Sequence, residues 1–316
     1  MSLKSELKSV FIDASKTSLT LFKIIIPVSI IVKILSELGL VELIGAYLSP
    51  VMSVVGLPGD FGIVWATAMI TNLYGGMIAF FNLSLINTYT SAEVTILATM
   101  MLIAHTLPVE VRIAQKAGVK AWFTILLRVG CAFLAGIILS LIFSSFNILQ
   151  YENKVLWQPE LVDPSLLQWV LDQCRNYAMV FAIILGLMLL MRLLKNIGIM
   201  DKLNKKMEPG LRFLGMSKDA APVTIIGMTL GLSYGSGLII KEVKDKMLGK
   251  KDAFLSLCLM GLSHSLIEDS FLMLAIGANI FGILGFRILF TIVIMLVLIK
   301  FFKHISKTVF TRFFTN

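Results

Sequence analysis

Residues 159 positions apart repeat one another along this chain, and that offset constrains the fold more than any single motif. Gly39 aligns with Gly198, Pro50 with Pro209, Gly56 with Gly215 and Asp60 with Asp219. After a slip of one residue that pairs Tyr74-Gly75 with Tyr234-Gly235, the offset returns for His105/His264, Leu107/Leu266, Glu110/Asp269 and Gly118/Gly277. Lys33 matches Arg192, and Arg128 matches Arg287. Leucines coincide by chance in a greasy chain, but imidazoles, carboxylates and guanidiniums inside apolar runs do not, because each is expensive to place there. The repeat therefore reads as an internal duplication.

The solvent follows from composition. Apolar residues make up 57% of the 316 and charged ones 15%, with a mean hydropathy of +0.89, so a water-soluble domain and an ordinary soluble enzyme are excluded. The net charge of +9 comes without an aromatic-interleaved basic patch or zinc-finger spacing, which disfavours nucleic acid as a partner. Apolar blocks lie at 18–38, 61–84, 93–111, 120–146, 176–197, 220–240, 252–276 and 280–302. Amphipathic stretches at Val41–Val55 and Met200–Leu214 separate some of them, and a polar linker at 147–175, with Trp157, Pro159 and Pro164, divides the halves.

Loop charge sets the topology. Lys and Arg gather at the N-terminus (Lys4, Lys8, Lys16), at 112–120, 192–218 and 241–251, and after Lys300, whereas 39–60 and 84–92 carry none. Eight crossings cannot put all the basic loops on the cytoplasmic side. Six crossings can, if 61–84 and 220–240 are re-entrant hairpins with tips at Asn72-Leu73-Tyr74-Gly75-Gly76 and Ser233-Tyr234-Gly235-Ser236-Gly237. Each limb of about ten residues then spans about 15 Å, half a bilayer. The expectation is an all-α polytopic membrane protein of two inverted repeats, each with three crossing helices, an amphipathic interfacial helix and a Gly-rich re-entrant hairpin. Its parts are a cytoplasmic amphipathic helix at 1–17, a first repeat at 18–146, an external linker at 147–175, a second repeat at 176–303 and a basic cytoplasmic tail at 304–316. Both termini are then cytoplasmic.

The sharpest chemical feature is His264-Ser265-Leu266-Ile267-Glu268-Asp269 with its counterpart His105-Thr106-Leu107-Pro108-Val109-Glu110. On a continuous helix His264 and Glu268 share a face, while His105 and Glu110 diverge unless Pro108 breaks the helix. In the functional reading each of these crossing helices is discontinuous near the midplane, and imidazole and carboxylate converge with the hairpin tip on a solute or ion site. The candidate solute-binding residues are Asn72, Tyr74, Gly75, His105, Glu110, Arg128, Ser233, Tyr234, Gly235, Ser236, His264, Glu268, Asp269 and Arg287. The competing reading makes the charges structural, as the ion pairs Glu110–Arg128 and Asp269–Arg287. The histidines and carboxylates also form a candidate set for Zn²⁺ or Fe²⁺, with no HExxH motif or cysteine cluster beside them. Lys33 and Arg192, near block ends, are expected to snorkel to the interface. Cys131, Cys174 and Cys258 read as inert apolar residues. No Walker loop, nucleophile elbow or catalytic triad is present, so no enzyme activity and no resident cofactor are expected.

With two repeats over nearly the whole chain, Gly-rich hairpin segments and the HSLIED string at 264–269, the chain resembles the Gate, or nucleoside recognition, family. That family is similar in architecture to concentrative nucleoside transporters, the membrane part of FeoB-type ferrous-iron transporters and spore maturation membrane proteins. The resemblance implies a multi-pass protein of the bacterial cytoplasmic membrane with transporter-like repeats, moving a nucleoside or related small polar solute, with protons or cations as coupling species. A non-transporting membrane partner and a divalent-metal transporter are the alternatives. Expected partners are the lipid bilayer, a small polar solute or ion, and a second copy of the chain or another Gate-like membrane protein.

Overall fold

The computed structural model describes residues 3–38, 40–84, 87–155, 166–230 and 248–315, with Ile240 and Val243 besides. These are helical almost throughout, and no strand occurs among them. In chain order the helices are α1 (Leu3–Glu37), α2 (Leu40–Ser53), α3 (Phe61–Ile70), α4 (Leu73–Ser84), α5 (Ser91–Ile103), α6 (Leu107–Lys116), α7 (Ala121–Ser145), α8 (Leu166–Asn196), α9 (Ile199–Phe213) and α10 (Ala220–Leu230). They continue with α11 (Lys250–Ser263), α12 (Glu268–Ala275), a π-helical turn at Phe281–Phe286, α13 (Arg287–Lys303) and α14 (Lys307–Phe313). Among the described residues, four segments are long and apolar enough to cross a membrane: Ser91–Lys116, Ala121–Ser145, Lys250–Ala275 and Phe281–Lys303.

Two of those four are interrupted. The first begins on a capping box, in which the Thr90 hydroxyl accepts from the Glu93 amide and the Glu93 carboxylate accepts from the Thr90 amide. It stops at Ile103, because Thr106 adopts left-handed backbone (φ 50°), and restarts with Pro108 in the first turn of α6, where a missing N–H is harmless. The second stops at Ser263, with Ser265 in the same unusual conformation (φ 45°), and restarts at Glu268. Each break is held from outside. The Thr106 amide donates to the Ala68 carbonyl of α3 (2.9 Å), and the Leu266 amide donates to the Met228 carbonyl of α10 (2.9 Å).

Several sequence expectations change. Residues 3–17 form no separate interfacial helix: α1 runs unbroken to Glu37, since neither glycine nor proline interrupts it before Pro27. Its N-terminal half packs along α8, with Phe11 edge-on to Phe181 (5.8 Å), Phe22 against Tyr177 (5.6 Å) and the Arg192 guanidinium donating to the Ser9 hydroxyl (2.6 Å). Arg192 therefore has a protein partner instead of snorkelling. The linker is also shorter, because α8 begins at Leu166, ahead of the apolar block. Residues 149–153 are stitched to the start of α5 by backbone hydrogen bonds, and Asn153 donates to the Ile276 carbonyl (2.8 Å), tying the linker to the second half. Residues 156–165 lie outside the described residues.

The bend between α3 and α4 is tighter than a Gly-rich tip. Only Thr71 and Asn72 interrupt the helices; the Asn72 carboxamide oxygen accepts from the Gly75 amide (2.9 Å), which places Tyr74 and Gly75 in the first turn of α4. Gly76 lets α4 press on its neighbours, since a Cβ there would lie 2.6 Å from the Met101 terminal carbon and 2.7 Å from Ala68 Cβ. The tip expected at Ser233, Tyr234, Gly235 and Ser236 falls outside the described residues.

The two halves share their cores. Leu272, Met273 and Ile283 of the second half are buried in the cluster around α3–α5, and Phe123 of the first half stacks on Phe254 (5.0 Å) in the cluster around α11. Asp60 caps α3 and accepts a 2.5 Å hydrogen bond from the Tyr89 hydroxyl. Burial, with that bond second, raises the Tyr89 pKa above its usual value.

Two outcomes follow for stability, read by thermal melting of the detergent-solubilised protein. Gly76→Val overpacks the α4–α5 contact and costs about 1–3 kcal/mol, whereas Gly130→Ala, with open space around it, stays neutral or gains up to about 1 kcal/mol. Tyr89→Phe loses about 1.5–3 kcal/mol at neutral pH, the range for a hydrogen bond to a charged group. The wild-type contribution is present below the unfolded tyrosine pKa of about 10 and declines as pH rises above it, and the variant lacks that alkaline decline.

Candidate functional site

The two helix breaks face each other. His105 caps the gap after α5 and His264 the gap after α11, both buried, with their Nε2 atoms 3.1 Å apart. Each ring is fixed by its own helix: His105 Nδ1 donates to the Met101 carbonyl (2.9 Å) and His264 Nδ1 to the Met260 carbonyl (2.8 Å). A carbonyl oxygen only accepts, so both Nδ1 atoms carry hydrogen and the neutral rings turn bare Nε2 lone pairs toward each other. Two acceptors at hydrogen-bond distance repel unless a positive species, a proton or a metal ion, lies between them.

Carboxylates surround the pair. Glu110 Oε1 is 3.6 Å from His105 Nε2 and 3.5 Å from His264 Nε2, and Asp269 Oδ2 is 4.0 Å from both. Both acids sit in the first turn of a helix that restarts after a break, where the positive end of the peptide dipoles favours them. The expected His264–Glu268 pair does not form within 4.0 Å among the described residues, because the left-handed backbone at Ser265 breaks the i, i+4 register. The same kind of break at Thr106 lets His105 meet Glu110, which a straight helix would keep apart.

Two arginines, with no measurable exposure, close the cluster. Arg128 donates from Nε to the Ile103 carbonyl (2.8 Å) and pairs through its guanidinium with Glu110 Oε2. Arg287 donates from Nε to the Leu262 carbonyl (3.0 Å) and from its terminal nitrogen to the carbonyls of Leu102 (3.1 Å) and His264 (3.0 Å). These acceptors are carbonyls that the helix breaks leave without an intrahelical partner. The Glu110–Arg128 ion pair of the structural reading is thus present, whereas no Asp269–Arg287 contact falls within 4.0 Å among the described residues. A π-helical turn stands directly before Arg287, where the equivalent stretch before Arg128 is regular helix, and the two guanidiniums find different partners.

Of the sequence candidates, His105, Glu110, Arg128, His264, Asp269 and Arg287 come together in this one cluster. Glu268 lies at its edge, half-buried, with Tyr74 of α4 within electrostatic reach of Glu268 and Asp269. Asn72 and Gly75 are occupied with each other in the turn that starts α4. Ser233, Tyr234, Gly235 and Ser236 lie outside the described residues. Sequence reasoning passed over the carbonyls of Met101, Leu102, Ile103, Met260 and Leu262, which orient both histidines and both arginines. No side chain signals a backbone acceptor.

Comparison with known proteins agrees with this architecture. A family model described as Gate, nucleoside recognition, matches residues 18–119 and 177–287, one segment in each half. A Bacillus subtilis (strain 168) protein described as the uncharacterized membrane protein YvoD is 26% identical over 276 residues, covering 86% of this chain and 87% of that protein. No solved structure matches the chain. With both halves matched, and with apolar helices long enough to span a bilayer, this membrane protein belongs to the Gate, or nucleoside recognition, family.

Proposed function

We propose that this chain is a secondary-transporter-like protein of a bacterial cytoplasmic membrane that moves a small polar solute of the nucleoside class, coupled to a cation held between its halves. The observation that carries the reading is the His105–His264 contact, made at the breaks of two helices that are 159 residues apart in the chain. Interrupted helices meeting at an ionisable cluster are how inverted-repeat carriers build a midplane site. Contacts between the halves are reciprocal: Arg287 reaches the Leu102 carbonyl, and Arg128 lies against Gly261, the residue equivalent to Leu102. Such exchange supports a pseudo-two-fold relation between the halves, in which i meets j where j′ meets i′.

In this reading the axis lies in the membrane plane, the second repeat is inverted, and α3–α4 and the segment after α10 are re-entrant hairpins. The chain crosses six times with both termini cytoplasmic. The hairpin helices hold the amides at the breaks, so their rocking moves the site from one face to the other. The cation stabilises the closed contact of the two imidazoles. When the halves part, that contact opens and the cation leaves with the solute.

One specific observation favours a second reading, a non-transporting membrane partner. Arg128 and Arg287 are held by Glu110 and by backbone carbonyls, as structural charges would be. Uptake of radiolabelled nucleosides into proteoliposomes, driven by an imposed proton or metal-ion gradient, separates the two. The carrier reading expects gradient-dependent accumulation that falls at least about tenfold in His264→Gln, the effect of about 1.4 kcal/mol, with the variant still folded. Absence of accumulation under every gradient, with His264→Gln lowering only the yield of inserted protein, supports the partner reading and overturns the carrier. The topology has its own test: in a Cys174→Ser background, a cysteine at Lys250 should react with an impermeant maleimide only after the cells are permeabilised.

A further inference from the structure

We infer that His105, His264 and Asp269 form a binding site for a divalent first-row transition-metal ion at the contact between the halves, with Glu110 Oε1, which lies beside both imidazoles, as the fourth candidate ligand. A tetrahedral ion bound by imidazole nitrogen and carboxylate oxygen has bonds of about 2.0–2.2 Å, and hence ligand–ligand edges of about 3.4 Å. The edges here are 3.1 Å between the two Nε2 atoms, 3.5 and 3.6 Å from those nitrogens to Glu110 Oε1, and 4.0 Å from each to Asp269 Oδ2. These five lie within about 0.6 Å of that ideal, and the three among His105, His264 and Asp269 close one ligand face; a side-chain rotation of Glu110 would bring its carboxylate to the fourth position.

The surroundings have the features of a metal centre. Each histidine donates its other ring N–H to a backbone carbonyl, which fixes the tautomer and aims Nε2 at the shared point. Arg128 holds Glu110 by Oε2 and leaves Oε1 for the ion. Asp269 Oδ2 is buried and has no hydrogen-bond partner among the described residues, so a ligand atom stands ready where an unpaired carboxylate is otherwise costly. Glu110, Asp269 and the adjacent Glu268, set against the guanidiniums of Arg128 and Arg287, leave one negative charge that offsets half of a divalent ion's. Two imidazoles with two carboxylates suit Zn²⁺, Fe²⁺ or Co²⁺, whereas Mg²⁺ and Ca²⁺ require more oxygen ligands than four side chains supply.

The inference deepens the carrier reading by naming the cation's class, yet it rests on ligand geometry and not on movement. Its test uses the full chain purified without a polyhistidine tag, in a His304→Gln background that removes the exposed third histidine. Titration with Co²⁺ should give one equivalent bound with the intense visible absorption of tetrahedral cobalt. Zn²⁺ should bleach that band, and Mg²⁺ and Ca²⁺ in large excess should not. His264→Gln should abolish the band, and Asp269→Asn, which keeps side-chain volume, should weaken binding at least about tenfold while melting within a few degrees of the parent. No tetrahedral band in the parent, or an undiminished band in folded Asp269→Asn, overturns the inference and leaves a shared proton as the cation between the rings. Metal binding without nucleoside uptake would remove the carrier and keep this site; uptake without metal binding would do the reverse.

Discussion

A guanidinium cannot shed its charge, and two of them are buried at the centre of this protein. The rest of the site can be understood from that constraint. An intact helix offers a buried arginine only the second lone pair of carbonyls already engaged with the amide four residues on. A broken helix offers more, since its last carbonyls lose their partners. Arg128 and Arg287 fill such vacancies at Ile103 and at Leu262, Leu102 and His264. The breaks and the arginines therefore require each other: removing the cation orphans carbonyls, and straightening the helix strands a charge. Truncating one partner of a buried pair of this kind costs about 3–5 kcal/mol, mostly as the penalty of the group left behind.

The breaks in turn create the chemistry. Left-handed backbone at Thr106 and Ser265 turns the chain so that a histidine ends one helix segment and a carboxylate begins the next, both facing the same point. Because the two halves meet there, imidazoles from distant parts of the sequence become neighbours. The halves do not finish identically. Arg128 pairs with Glu110, whereas Arg287, carried by the π-helical turn, spends its donors on carbonyls and leaves Asp269 without a guanidinium. Two similar helix breaks thus yield a cluster in which, among the described residues, Glu110 is paired with a guanidinium and Asp269 is not.

Much of the cluster was legible in the sequence, because rare polar residues in apolar blocks repeat at one offset, and six of them meet. What was not legible depended on long-range backbone contacts. Pro108 signals the first break, but Ile267 stands at its counterpart, and the second break is held by a hydrogen bond from the Leu266 amide to the Met228 carbonyl that no local residue announces. A continuous helix would place Glu268 beside His264, whereas the break brings Asp269 and Glu110 near it. The N-terminal amphipathic pattern likewise comes from the face that α1 turns to α8, with Val10 and Ala14 buried in protein, a pattern indistinguishable in sequence from that of an interfacial helix. Gly-rich composition suggested an open tip at residues 72–76, while Asn72 caps a helix that starts at once.

The central claim is that both imidazoles are held as the Nδ1–H form, so that two bare Nε2 atoms share one positive species. Nitrogen NMR of the protein carrying ¹⁵N-histidine, reconstituted in lipid nanodiscs, tests this most directly, with exposed His304 as the solvent-facing reference. The account predicts two histidine signals with protonated Nδ1 and with Nε2 displaced together by a shared proton or bound metal, both lost as a pair when either residue is replaced. Two independent rings in the Nε2–H form, matching His304 and each unaffected by replacing the other, would contradict it.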